Sequence, residues 1–239
     1  MTVLITGGAR SLGACIAELF ASKGFDVIIN YNNSYVDANN LKNKLEKEYD
    51  VRCLVCKADV SNEAEVRKMF DVIKNTFGNI DCVINNAGIC KDNSLDSKTS
   101  EEFMDVIKVN LVGTYLVSKY SLDVMKKGCI INVASNNGFN GSYIESIDYD
   151  ASKAGIINMT HNFAKYLSPD IRVNVICPGW IESDMTSNID NYFKKSEIDK
   201  IMLGRFAKKE EIADAIYFMV SNEYVNDCVL KIDGGIKQC

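Results

Sequence analysis

Tyr149 and Lys153 stand four residues apart in the run YDASK at 149–153, where a helix of amphipathic period begins. That spacing puts both side chains on one helix face, with the lysine one turn along. A phenol beside an ammonium is a proton donor whose acidity the neighbour can tune. A free tyrosine titrates near 10, so poising it near neutrality requires about 4 kcal/mol of differential stabilisation. An exposed lysine supplies far less than that, and a partly desolvated one supplies more. Taken alone, the pair fits a solvated helix edge equally well, so its meaning depends on its company.

The second chemical run is TGGARSLG at 6–13, directly after the apolar VLI at 3–5. Glycines in such a turn let the backbone approach a pyrophosphate, and the amino end of the following helix offers free N–H groups and a favourable partial charge. The bland alternative is a tight strand-to-helix turn without a ligand. The next strand end decides between cofactors: VIINYNNS at 27–34 has no carboxylate to accept from a ribose 2′-hydroxyl. Asn30 offers donors to a 2′-phosphate there, and Arg10 offers a bidentate partner, so NADPH is expected over NADH, which stays possible.

These runs need a scaffold. Short β-branched segments at VLI 3–5, VII 27–29, VRCLVC 51–56, IDCVI 80–84, IINV 130–133, RVNVI 172–176 and VLKI 229–232 alternate with stretches of helical period, among them one ending at about Tyr49 and those at 63–77 and 210–220. About seven strands of continuous apolar character predict an open parallel sheet covered by helices. Ligands in such sheets lie beyond the carboxyl ends of the strands, where both runs fall.

Composition excludes several classes. With 47% hydrophobic and 25% charged residues over 239 positions, the chain can bury a full core, and no Ser-, Gly- or Pro-rich linker divides it. A net charge of −5 argues against nucleic acid. The first apolar run is too short for a signal peptide core or membrane span, so a cytoplasmic address is expected. Nine cysteines are scattered through apolar segments, as at Cys82, Cys129 and Cys177, and read as reduced core thiols. Cys53 and Cys56 form one CxxC in a strand, far from the sole histidine, His161, so neither a metal site nor thioredoxin chemistry is expected.

Order and spacing of the motifs resemble the short-chain dehydrogenase/reductase family over essentially the whole chain. They are TGGARSLG at 6–13, NNAG at 85–88, VN at 109–110, INVAS at 131–135, YDASK at 149–153, PGWIESDM at 178–185 and IDGG at 232–235. The resemblance implies one Rossmann-type domain over 1–239, with strand order 3-2-1-4-5-6-7 and a substrate lid at 186–204. It implies that the turn from Thr6 through Gly7, Gly8, Ala9, Arg10, Ser11, Leu12 and Gly13 holds cofactor phosphates, and that Asp59 and Val60 touch adenine. By the same carry-over Asn86, Ala87 and Gly88 line the nicotinamide ribose path, while Pro178, Gly179 and Ile181 flank the nicotinamide. Ser11 replaces a glycine usual in the family; its hydroxyl is expected to cap helix N–H groups.

The resemblance also gives YDASK its company. Tyr149 is implied as the acid that protonates a substrate carbonyl as hydride arrives, or accepts the proton in reverse. Ser135 orients the carbonyl oxygen, with S135-N-N-G138 favouring it over Ser142 or Ser146. Lys153 holds the nicotinamide ribose and, with the oxidised ring, favours the phenolate; Asn110 supports a water linking the lysine to solvent. Asp148 and Asp150 read as helix amino-end charges.

Within the family the chain is most similar to bacterial 3-oxoacyl-acyl-carrier-protein reductases of fatty acid biosynthesis, in VIINY, NNAGICKDN and the lack of insertions. An acidic carrier needs basic residues near the site mouth; Lys126 and Lys127 offer a patch, whereas Asp170 argues against one. Other ketones, sugars or steroid-like alcohols therefore stay open as substrates, with Trp180 and Phe139 either cleft walls or packing residues. A non-catalytic NADPH-binding redox sensor is the competing class, and the set Asn110, Ser135, Tyr149 and Lys153 argues against it. The family implies a homotetramer through helices at 99–125 and 149–168, with the carboxyl-terminal end at a second interface.

Overall fold

The structure is a computed structural model, and the described residues are 1–141, 143–184, 186–187 and 189–237. Ser142, Met185 of the PGWIESDM run, Asn188 of the lid segment and the final Gln238 and Cys239 lie outside them.

Seven strands, β1 (Thr2–Ile5), β2 (Asp26–Tyr31), β3 (Cys53–Lys57), β4 (Cys82–Asn85), β5 (Gly128–Val133), β6 (Ile171–Pro178) and β7 (Val229–Ile232), form one sheet in the order 3-2-1-4-5-6-7. Every pairing is parallel. The chain is thus a single Rossmann-type α/β domain. Among the described residues eight α-helices connect the strands: α1 (Ser11–Ser22), α2 (Tyr35–Glu48), α3 (Glu63–Phe77), α4 (Ser100–Ile107), α5 (Gly113–Ser121), α6 (Ile147–Leu167), α7 (Asn191–Lys200) and α8 (Lys209–Ser221).

Alternation along the strands builds two cores. Val3, Ile5, Val27 and Ile29 face α1, α2 and α8, meeting Ile16, Phe20 and Ile216. Leu4, Ile28, Val83 and Ile130 face the other way, onto Val66, Phe70, Val117 and Ala164 of α3, α5 and α6. Burying each such side chain contributes about 1.5–3 kcal/mol, which holds the strand ends in register. Those ends carry the motifs.

Local chemistry sets the helix limits. Asn62 caps α3 by accepting from Ala64 N (3.1 Å) and Glu65 N (3.3 Å), and Gly78 ends it at φ 74°. The helix expected from 99 to 125 is not continuous: a π-turn at Lys108–Val112 separates α4 from α5. The lid segment contains α7, whose N-cap Asp190 accepts from Tyr192 N (2.9 Å) and Phe193 N (3.2 Å). Among the described residues no helix is long and apolar enough to cross a membrane. Cys53 and Cys56 are free thiols buried on β3, pushed up by burial to about 12 and about 11.

Candidate active site

A cavity of about 420 Å³ opens at the carboxyl ends of the strands. Its floor is the turn between β1 and α1. Gly7 sits at φ 59°, and a Cβ on Gly13 would fall 2.2 Å from Gly7 O, so only glycine lets the helix start this close to the strand end. Thr6 is buried beneath: its Oγ1 accepts from the N–H groups of Asn86 and Ala87 (3.0 Å each), while Asn86 Nδ2 donates to Thr6 O (3.0 Å) and Gly7 O (3.2 Å). NNAG thereby fastens β4 to the turn.

The N-cap Arg10 makes no side-chain cap and the first turn of α1 holds no acid. The first helical bond is Ala14 N to Arg10 O (3.1 Å), so the N–H groups of Ser11, Leu12 and Gly13 form an anion cradle at the floor. Such a turn fits a dinucleotide pyrophosphate. Ser11 does not cap as expected: its Oγ accepts from Asp184 N at 3.4 Å, across the cavity. Its φ of 50° keeps the left-handed backbone a glycine would take, at a cost of about 1–2 kcal/mol.

Asn30 also requires correction. It lines the cavity but is buried, with Nδ2 donating to Ala58 O (3.0 Å) and Cys56 O (3.4 Å) and Oδ1 accepting from Gly7 N (3.4 Å). Both amide hydrogens are spent on backbone, so Asn30 shapes the turn and has no donor left for a phosphate. Arg10 is exposed at the rim, 3.9 Å from Asp37. The residues beyond Asn30, namely Tyr31, Asn32, Asn33 and Ser34, line the cavity beside it, a contribution no motif in the sequence signals.

Most other expected groups meet here: Ala9, Asp59, Val60, Ala87, Gly88, Pro178, Gly179 and Ile181 line the same cavity as Ser135, Tyr149 and Lys153. Gly8 does not line it; a Cβ there would sit 2.9 Å from Ile5 O, so it packs on the strand. Asp59 turns its carboxylate onto Ser61 N (2.9 Å) and Oγ (2.7 Å). Gly179 passes Asp233 so closely that a Cβ would meet its side chain at 2.8 Å, which ties PG to IDGG. Ile89, Val109 and Val133, which lie inside the motif runs but were assigned no role there, complete the wall together with Ser183 and Asp184.

At the other end of the cavity, Ser135 follows β5 and opens a 3-10 turn at Asn136–Gly138. Gly138 is required there because a Cβ would lie 2.9 Å from Lys153 C and 3.0 Å from Ala154 N, so the loop lies flat on α6. Ser135 and Tyr149 both line this end of the cavity, and Ser135 Oγ accepts from Asn137 N (3.2 Å). Lys153 is buried, donates to Val133 O (2.8 Å) and holds its ammonium 5.3 Å from the Tyr149 ring centre.

Electrostatics here run opposite to the expected poise near neutrality. Burial pushes the Tyr149 phenol up, with Cys90, Asp150 and Asp92 adding to the effect and the nearby Ser135 hydroxyl opposing it. Burial lowers Lys153 to about 8. Tyr149 therefore keeps its proton in the chain alone, the state a proton donor needs.

Asn110 lies behind the cavity. Its Nδ2 donates to Ile89 O (2.9 Å) and Ser152 Oγ (3.0 Å), and its Oδ1 accepts from Ile89 N (2.8 Å). The side chain is committed to the protein and leaves no donor for a water. Asp148 and Asp150 stand in the first turn of α6, as expected, and both are buried and partnered: Asp148 pairs with Lys98 (2.8 Å), and Asp150 accepts from Asn137 Nδ2 (2.8 Å) and Ser146 Oγ (3.2 Å). Lys126 and Lys127 precede β5 and sit at the amino edge of the sheet, a strand length of roughly 20 Å from the cavity, so they are no rim of this cleft. Phe139 is exposed, and Trp180 stacks on Phe206 (5.4 Å); neither lines the cavity.

Comparison with known proteins agrees with this geometry. A profile of the family described as Enoyl-(Acyl carrier protein) reductase matches residues 7–237. The chain is 36% identical to the 3-oxoacyl-acyl-carrier-protein reductase FabG of Aquifex aeolicus, covering 98% of this chain and 96% of that protein. It is 37% identical to carbonyl reductase family member 4 of Xenopus laevis, with the same coverage. A short-chain dehydrogenase from Burkholderia cenocepacia, solved in complex with NADP, superposes with a TM-score of 0.93 at 29% identity, over 98% of this chain and 96% of that one. With the motif order, the sheet order and a match over nearly its whole length, the chain belongs to the short-chain dehydrogenase/reductase family of NAD(P)-dependent oxidoreductases.

Proposed function

We propose that the protein is an NADPH-dependent reductase of 3-oxoacyl thioesters, with Tyr149 as the general acid. The observation that carries the reading is the meeting of Ser135, Tyr149 and the buried Lys153 on one cavity wall, with the lysine ammonium 5.3 Å from the Tyr149 ring centre. The cradle at Ser11, Leu12 and Gly13 and the exposed guanidinium of Arg10 fit a phosphorylated dinucleotide, in keeping with the NADP held by the Burkholderia cenocepacia relative. When bound, the reduced nicotinamide supplies the hydride.

The chain's own residues do the rest. Ser135 Oγ donates to the substrate carbonyl oxygen and fixes it beside the phenol. Tyr149 transfers its proton to that oxygen as negative charge develops there, and the raised phenol pKa keeps the acid loaded for reduction. Lys153 holds the ribose hydroxyls and stabilises the phenolate left behind. Residues 186–204, with α7 at their centre, cover the substrate, and the exposed apolar side chains Val112, Tyr115 and Tyr166 on the π-turn, α5 and α6 fit a homotetramer contact.

The thioester substrate is favoured by the FabG relative. A second reading, reduction of free ketones, is favoured by the equally similar carbonyl reductase and by the position of Lys126 and Lys127 away from the cleft. Loss of NADPH absorbance with an acetoacetyl thioester and a panel of ketones separates them: turnover of the thioester supports the first, turnover of ketones alone replaces it with the second. Tyr149→Phe is expected to abolish turnover while NADPH affinity stays within about threefold, as for a group acting only in the chemical step. Retained reductase activity in that variant removes Tyr149 from its role, and tight binding without any turnover by the wild type would return the sensor.

A further inference from the structure

Between β4 and α4 the loop at 89–98 passes alongside the amino end of α6, and one buried ion pair joins them. Lys98 and Asp148 meet at 2.8 Å with side chains 3% and 0% exposed. Lys98 Nζ also donates to Lys91 O (2.6 Å), and Asp148 Oδ1 accepts from the N–H of Tyr149 (2.9 Å). At its start the same loop is gripped by Asn110 through both polar groups of Ile89. Two ions withdrawn this far from water are retained only where their geometry is satisfied, and this pair spends its bonds on the backbone of the loop and of Tyr149.

We propose that Lys98 and Asp148 are positioning residues, locking the 89–98 loop against the first turn of α6 and so setting the place of the Tyr149 phenol and its loop neighbours. The inference rests on Tyr149 being the acid. Cys90 and Asp92 flank the tethered Lys91, and the Asp92 carboxylate holds the phenol up. Cys90 Sγ donates to Asp92 Oδ1 (3.0 Å), and its thiol is pushed up by burial and by Asp92, so it stays neutral. Asp92 is thus the charge the loop brings to Tyr149; Asp150 and Lys153 reach it from its own helix and Ser135 from the end of β5.

The test is the doubly neutral variant Lys98→Met with Asp148→Asn, which cuts the tether yet keeps an acceptor oxygen for Tyr149 N–H. With whichever thioester or ketone the wild type turns over fastest, kcat is expected to fall roughly tenfold through misplacement of the acid, while the NADPH Kd by fluorescence stays within about twofold. In the oxidation direction Tyr149 must be deprotonated, so activity rises with pH through its pKa. Moving Asp92 away favours the phenolate, and the limb is expected to shift down by about half a pH unit. A folded variant with wild-type kcat and limb overturns the proposal, and so does a loss of kcat with an unmoved limb, which marks mere loosening. If the double variant shows no thermal transition, Asp92→Asn decides: the same downward shift supports the placement, and no shift overturns it. Tyr149→Phe measured in parallel separates the two layers, since an active Tyr149→Phe defeats the proposed acid, whereas an inactive one beside an unperturbed double variant defeats only the positioning role.

Discussion

The glycine turn at the cavity floor and the lid segment beyond the cavity are built differently. At the turn, backbone meets backbone: Gly13 lies against Gly7 O, Gly8 N donates to Asn30 O at 3.0 Å, and Asn86 braces the carbonyls of Thr6 and Gly7. At the lid, side chain meets side chain: Trp180 stacks on Phe206, Phe193 packs edge-on to Trp180 at 5.9 Å, and Glu197 of α7 is buried with Trp180 Nε1 (3.2 Å) and Lys200 Nζ (2.6 Å) as donors. Backbone contacts at van der Waals limits admit one residue type, whereas packed side chains admit several. The turn should be intolerant of substitution and the lid forgiving.

Gly13→Val strikes the intolerant turn hardest. Its Cβ has no room beside Gly7 O, so NADPH affinity is expected to fall more than about 100-fold in a fluorescence titration, the loss of several phosphate contacts. Near-normal binding would erase the contrast. Arg10→Ala removes one rim contact from a backbone-built cradle: NADPH affinity is expected to drop about tenfold with NADH affinity unchanged, as for one charge-assisted bond to the 2′-phosphate. Equal losses for both cofactors would assign Arg10 elsewhere. At the lid, Glu197→Gln keeps the shape of the contact and removes a charge shared with Lys200 and Tyr143. A change in ketone KM of no more than about threefold is expected, because isosteric changes in packed side-chain contacts are the best tolerated. A larger rise would show the lid to be as exacting as the turn.

The same contrast explains what could be read from the sequence. Glycines at 7, 13 and 138 are forced by a left-handed φ beside Ala87 and by approaches to Gly7 O and α6, so their spacing carries the site into the sequence. The sheet was legible because strands covered on both faces read as unbroken apolar runs, and α3 was legible to the residue because Asn62 and Gly78 punctuate it. The role expected of Asn30 failed, and the burial of Asp148 stayed hidden, for one reason: composition at a strand end or a helix start does not reveal burial. Asp148 sits where a helix dipole welcomes a surface carboxylate, and its partner Lys98 is 50 residues away. Lys126 and Lys127 look adjacent to the site in sequence, since Ser135 comes soon after, yet β5 carries the chain across the sheet between them. Nothing in KVNLV marks it as a π-turn.

That π-turn sets an angular phase. Each residue of a regular helix turns the chain by about 100°, and a turn closed over five residues absorbs one residue without passing that rotation on. The contacts made beyond Asn110 depend on it: Gly113 lies so close to Val60 that a Cβ would meet its side chain at 2.7 Å, and Leu111 fills the hollow at Gly155. Losing one residue from 108–112 would give a more regular rod, yet every side chain after it would face the wrong neighbour. Along this stretch the chain can vary its letters but not their number.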